Sequence, residues 1–180
     1  MHARLESSID LGAALSSVPR YRSMLCGYLN IYSSFEAELG RKVGEIAQIV
    51  SLVYQSKTPS LERDLRSLGM EPSNRIRPVD LGELPSLDSV DSVLGALYVV
   101  QGSSLGGKII YREIQANLNI DADSGAAFFF GNGEQTGPRW KEFTTLLNQR
   151  VSNAEVAAEA ASAMFRVFED GLKSPGRTEK

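Results

Sequence analysis

Apolar residues recur in this chain at intervals of three and four, and no segment alternates apolar and polar positions over the length of a strand. Spacings of three and four gather side chains on one side of an α-helix, whereas a half-buried strand needs a period of two. The pattern therefore predicts an all-α protein with no sheet. Between Arg20 and Leu39, the residues Tyr21, Met24, Leu25, Tyr28, Tyr32, Phe35 and Leu39 form one wide stripe, which is stable only when buried against partner helices. At 180 residues the chain has room for one domain with a real core. We expect a single multi-helix bundle over 1–172 and a frayed polar tail over 173–180, where Pro175 and Gly176 interrupt regular structure.

A second stripe runs through Val43, Ile46, Ala47, Val50, Val53 and Tyr54, and Lys57-Thr58-Pro59 breaks it. Thr58 is placed to cap a short helix with Pro59 in its first turn, Leu61, Leu65 and Leu68 inward, and Gly69 as terminator. From Met70 to Ser86 three prolines predict an irregular connection. A long helix should begin near Asp88 or Ser89 and run to about Leu118. After a loop holding Gly125, Phe128 to Phe130 and Gly131 to Gly133, Pro138 opens a helix with Trp140, Phe143, Leu146 and Leu147. Ser152 and Glu155 form a capping-box pattern for the last helix, which carries Val156, Ala160, Met164, Phe165 and Phe168.

The long helix holds Gly102, Gly106 and Gly107 within six positions. Each glycine costs about 1 kcal/mol relative to alanine inside a helix. One reason for them is close helix packing; another is a close approach of backbone to a flat ligand.

Composition narrows the chemistry. Basic residues are scattered and the formal net charge is -3, which argues against a nucleic-acid partner. No stretch approaches the ~18 uncharged apolar residues of a spanning helix, and the N-terminus lacks an apolar signal core, so a cytoplasmic location is expected. Cys26 stands alone and reads as a small buried hydrophobe. The carboxylate pairs Glu36 with Glu38 and Asp88 with Asp91 read as solvated faces or caps. His2 is the single histidine, so sites built on two imidazoles are excluded. An iron porphyrin needs one imidazole if its other face stays open to oxygen. His2 can supply that ligand, and a glycine-rich helix can supply the open face.

The run from Leu94 to Gly107, LGALYVVQGSSLGG, resembles the distal-helix signature of biliverdin-producing bacterial heme oxygenases, close to LGALYVLEGSTLGG. The resemblance continues through Phe129-Phe130-Gly131, Gly133 and Trp140-Lys141-Glu142-Phe143 to the helix with Phe165, and His2-Ala3-Arg4-Leu5-Glu6 is similar to the family's proximal HxxLE. It implies an all-helical fold that sandwiches heme between a proximal helix, with His2 as axial iron ligand, and a kinked distal helix. Heme is then both cofactor and substrate, opened with molecular oxygen to biliverdin, carbon monoxide and iron. An electron-donor protein or other reductant and a bilin-accepting phytochrome are the implied partners.

On this resemblance Gly102, Ser103 and Gly106 shape the catalytic pocket, Ser103 either anchoring a water or satisfying a carbonyl one turn earlier. Arg4 and Arg166 are candidates for the heme propionates, and Gly107 and Phe165 for the porphyrin itself. Phe168 and Tyr98 either line the porphyrin or pack in the core. Three departures stand out: only Met1 precedes His2, Gln101 replaces a frequent glutamate, and Ser103 aligns with the distal aspartate of some members. The alternative is a protein that binds heme or a bilin without turnover, or a helical domain kept for partner contacts, because fold alone does not confer activity.

Overall fold

The computed structural model describes residues 10–72 and 84–173. Among these there are eight α-helices and no strand. They are α1 (Leu11–Ala14), α2 (Val18–Leu39), α3 (Gly44–Val53), α4 (Thr58–Ser67), α5 (Val90–Leu118), α6 (Ala127–Phe130), α7 (Thr136–Arg150) and α8 (Ala154–Lys173). The helices expected from Arg20 onward all form, and α1 and α6 are short additions that the spacing did not reveal. His2, Arg4, the connection over 73–83 and the tail from 174 onward lie outside the described residues.

Helix α5 is the spine. Ser89 caps it in a reciprocal box with Ser92, and Val93, Leu94, Ala96, Leu97, Val99 and Val100 are buried. By length and composition α5 is apolar enough to cross a membrane, contrary to the sequence expectation, but half of its most apolar stretch is buried within the protein, as in a core helix. Helix α8 runs beside it in the same direction. Asp91 accepts from the Ser152 N–H at 2.7 Å and the Ser152 hydroxyl at 3.0 Å. One turn further, Gly95 lies so close to α8 that an added Cβ would fall 2.0 Å from the Ala157 carbonyl oxygen.

Helix α2 closes the other side. Its Tyr21, Leu25, Ile31 and Phe35 are wholly buried, and Tyr28 and Tyr32 meet Phe168 of α8 at ring separations of 6.4 and 5.7 Å.

Three local expectations are corrected. Ile46, Val50, Val53 and Tyr54 of the expected stripe pack against the core, but Val43 is 81% exposed, because the helix starts only at Gly44, and Ile49 is the buried residue of α3. Lys57, not Thr58, is the N-cap of α4, and the Thr58 hydroxyl is buried without a partner among the described residues. Asn153, not Ser152, caps α8 by accepting from the Glu155 and Val156 N–H groups at 3.1 and 3.2 Å, since Ser152 is committed to Asp91. Gly69 does follow α4, at φ +76°, the left-handed conformation of a helix terminator.

Candidate functional site

On α5 the spacings of four and three put Gly102, Gly106 and Ile109 on one face, with Leu105 at its edge. Ile109 is 56% and Leu105 40% exposed. Gly102 is buried and Gly106 half-buried, so the strip runs from the interior at Gly102 out to solvent at Leu105 and Ile109. The helical assignment continues unbroken through the glycines.

The adjacent face of the same turns, about 100° round the helix, looks into the protein. Gly107 is buried, and a Cβ there would lie 3.2 Å from the Phe129 carbonyl oxygen of α6. Ser103 donates to the Val100 carbonyl at 2.8 Å and lies 3.3 Å from the Tyr32 hydroxyl. Its one proton is used on Val100, so Tyr32 is the donor between the two hydroxyls. Of the two sequence readings of Ser103, the structure shows the one in which it satisfies a carbonyl one turn back, with Tyr32 as its second partner. Burial raises the Tyr32 and Tyr28 phenols far above their usual range, so both stay protonated.

Behind Ser103 lies a cavity of about 30 Å³, bordered by Tyr28, Tyr32, Lys57, Ser103, Gly107 and Phe128 among others. That volume suits a single water. Two anchors fix its walls. Asp64, buried on α4, accepts from the Ala127 and Phe128 N–H groups at 2.9 and 2.8 Å and so holds the start of α6. Desolvation outweighs these bonds and raises its carboxyl above the usual value. Glu36 of α2 accepts from the Tyr54 hydroxyl at 2.7 Å, the Ser56 hydroxyl at 2.5 Å and the Lys57 N–H at 2.6 Å. It pins the α3–α4 linker beneath α5.

The heme oxygenase family model matches residues 1–173. The chain belongs to the heme oxygenase family. It is 30% identical over 180 residues to a heme oxygenase of Xanthomonas campestris pv. campestris (strain 8004), covering 98% of this chain and 99% of that one. It is 27% identical to the heme oxygenase PigA of Pseudomonas aeruginosa, covering 96% and 85%. Its fold is similar to the NO- and CO-bound heme oxygenase from Neisseria meningitidis, with TM-score 0.65, 20% identity and coverage of 97% and 90%. As a heme oxygenase, the protein is a heme-degrading monooxygenase with an all-α fold.

Within this heme oxygenase the sequence-predicted residues divide. Gly102 and Gly107 are buried and Ser103 and Gly106 half-buried, so the strip opens only from Gly106 outward. Phe165 is half-buried and Arg166 exposed on adjacent positions of α8. Arg166 borders an open cleft of about 720 Å³ whose other charged residues are Asp88, Glu155 and Glu159. Phe168 is 1% exposed and packs in the core, and Tyr98 meets Trp140 in a tilted contact at 5.3 Å, so core packing accounts for both. Cys26 is half-buried and places its Sγ 3.5 Å from the Met70 sulfur. Glu38 pairs with Arg41 and Lys42, and Asp88 with Lys42, as solvated carboxylates should, whereas Glu36 departs from that reading, half-buried and engaged by Tyr54, Ser56 and Lys57.

Sequence reasoning missed Gly95, Tyr32, Lys57, Asp64 and Glu36 as residues that build the site. Asp64 had a readable signal, a carboxylate three residues after Leu61 and beside Leu65 on the apolar face of a short helix. Glu36 had none, because its donors come from a linker that only the fold brings near.

Proposed function

We propose that this protein opens the heme ring to biliverdin, releasing carbon monoxide and iron, with molecular oxygen as oxidant and electrons from an external donor. The observation that carries this reading is the strip of Gly102, Gly106, Ile109 and Leu105 on α5, buried at Gly102 and open to solvent at Ile109 and Leu105. A porphyrin is flat and largely apolar, and it can lie against a helix only where side chains are missing. Two glycines one turn apart supply that absence, and Ile109 and Leu105 supply apolar surface at its margins.

In this reading His2 is the axial ligand on the opposite face, consistent with the single histidine of the chain. Arg4 and Arg166 neutralise the propionates, Phe165 packs against the ring edge, and Gly107 acts indirectly by letting Phe129 approach from behind. No side chain of the strip is an acid. The nearest interior polar groups are the neutral hydroxyls of Ser103 and Tyr32, so the protein's part is to orient the ring, exclude bulk water from it and order water near it. A protein or small-molecule reductant, a bilin-accepting phytochrome and a cytoplasmic location belong to the same proposal.

The test is a titration of the purified protein with ferric heme, following the Soret band, and then addition of ascorbate under air. Saturable binding followed by a bilin spectrum is expected. Gly106→Leu, which puts a branched side chain into the strip, should abolish saturable binding while leaving the helical circular dichroism intact. Equal binding by that variant would remove the strip from the site.

A further inference from the structure

Gln101 precedes the first glycine of the strip and stands where the signature often carries glutamate. It is half-buried, and its side-chain amide donates to the Val53 carbonyl at 3.0 Å. Val53 is the last residue of α3, and the chain leaves it extended through Tyr54. The final carbonyls of a helix have no partner within it, so Gln101 caps α3 from a different helix. A glutamate at 101 could not make this bond. An ionised carboxylate only accepts hydrogen bonds, and the C-terminal end of a helix disfavours negative charge. In this chain α3 presents an acceptor, which calls for a donor of glutamine's length.

The place of the bond gives it a consequence for the strip. Side-chain packing holds α5 up to Val100, which is 1% exposed, but Gly102, Gly106 and Gly107 bring no side chains to pack. Glycine also has the greatest backbone freedom. Polar ties and backbone contacts therefore locate these turns. Ser103 meets the Tyr32 hydroxyl of α2 at 3.3 Å, the Gly107 backbone lies against the Phe129 carbonyl of α6, and Gln101 supplies the tie to α3. Glu36 holds the following linker through Tyr54, Ser56 and Lys57, so the carbonyl that Gln101 uses is itself anchored.

We propose that Gln101 is a positioning residue for the heme reaction: its bond to Val53 sets the height of the Gly102 to Gly106 turn relative to α3, and with it the depth at which the porphyrin seats on α5. The inference rests on the heme-degrading reading and deepens it. In this role Gln101 acts through the backbone of the following turn, not on the ring itself.

The experiment compares wild type with Gln101→Glu, Gln101→Met and Gln101→Lys. Glutamate and methionine match glutamine in length but have no proton to give the carbonyl, whereas lysine donates and its charge suits a helix C-terminus. In the heme-free protein, Gln101→Glu and Gln101→Met should speed amide exchange about tenfold at Tyr54 and at Leu105 to Gly107. The helical acceptors of those amides are the carbonyls of Val50 and of Gln101 to Ser103. Exchange along α8 should not change, and Gln101→Lys should return all these rates to those of wild type. Wild-type rates in Gln101→Glu and Gln101→Met overturn the proposal, and so does a failure of Gln101→Lys to restore them. With ferric heme, the Soret titration should give a Kd about tenfold weaker for Gln101→Glu and Gln101→Met, and within about twofold of wild type for Gln101→Lys. One Kd for all four proteins would make the bond a structural cap and overturn the positioning role. A wild type that binds no heme sinks the heme-degrading reading itself, while the exchange pattern, which needs no heme, still decides whether Gln101 ties the glycine turn to α3.

Discussion

Gly95 and Asp64 show how much single positions settle here. Alanine at 95 would place its Cβ 2.0 Å from the Ala157 carbonyl oxygen, a backbone atom that cannot swing aside. Overpacking of this kind costs about 1–3 kcal/mol, more than the roughly 1 kcal/mol that alanine gains over glycine in a helix. Gly95→Ala should therefore lower the urea midpoint, and an unchanged or raised midpoint would show that α5 and α8 can separate freely. Asp64 makes a pH-dependent prediction. Its folded carboxyl is raised above the ordinary value of 3.8, so between those two values the folded state binds more protons than the unfolded state. Stability from this group is present below the unfolded value and is lost as pH rises through the folded one. Urea midpoints at acid and neutral pH should show wild type losing ground to Asp64→Asn as pH rises.

Helices in this protein are positioned by side chains that reach into neighbouring loops. The α3–α4 linker hangs on Glu36, and the start of α6 hangs on Asp64. Removing the Glu36 carboxylate leaves the Lys57 N–H and the Tyr54 hydroxyl without their acceptor, and a buried unsatisfied donor costs about 1–3 kcal/mol. Glu36→Ala should destabilise the protein by about that much and accelerate amide exchange locally at Lys57 and Thr58; uniform exchange across the chain would contradict a local tether. Capping is a smaller matter. Ser89→Ala removes the bond to the Ser92 N–H and should cost about 1 kcal/mol, seen as a shift of the urea midpoint with an unchanged slope.

For the molecule as a whole, the open apolar strip on α5 implies that heme stabilises the fold. A ligand that binds only the folded state at a hundredfold excess over its Kd contributes about 2.7 kcal/mol. In a domain of this size that should raise the Tm by about 5–10 °C. His2→Ala should abolish most of that rise without lowering the Tm of the heme-free protein, because the strip itself is intact. A rise equal in both proteins would remove His2 from the ligand set.

The helical class, the boundaries of the long helices and the glycine strip were all legible in the residues, because helix period, glycine cost and proline placement act over a few neighbouring positions. The sequence also confined the chemistry to one imidazole, and its signature around Leu94 to Gly107 pointed to the family. Tertiary structure decided what those short-range signals could not carry. It determined that Gly95 packs on the α8 backbone, that Gly102 is buried and that Gly106 is half-buried beside exposed Leu105 and Ile109, although all three read alike as small residues in one helix. It brought Tyr32, Lys57 and Ser103 around one cavity from three separate segments. It turned Glu36 and Asp64 from ordinary carboxylates into tethers. Hydrogen-bond partners distant in sequence leave no periodic trace, so only the packed chain shows which polar groups meet.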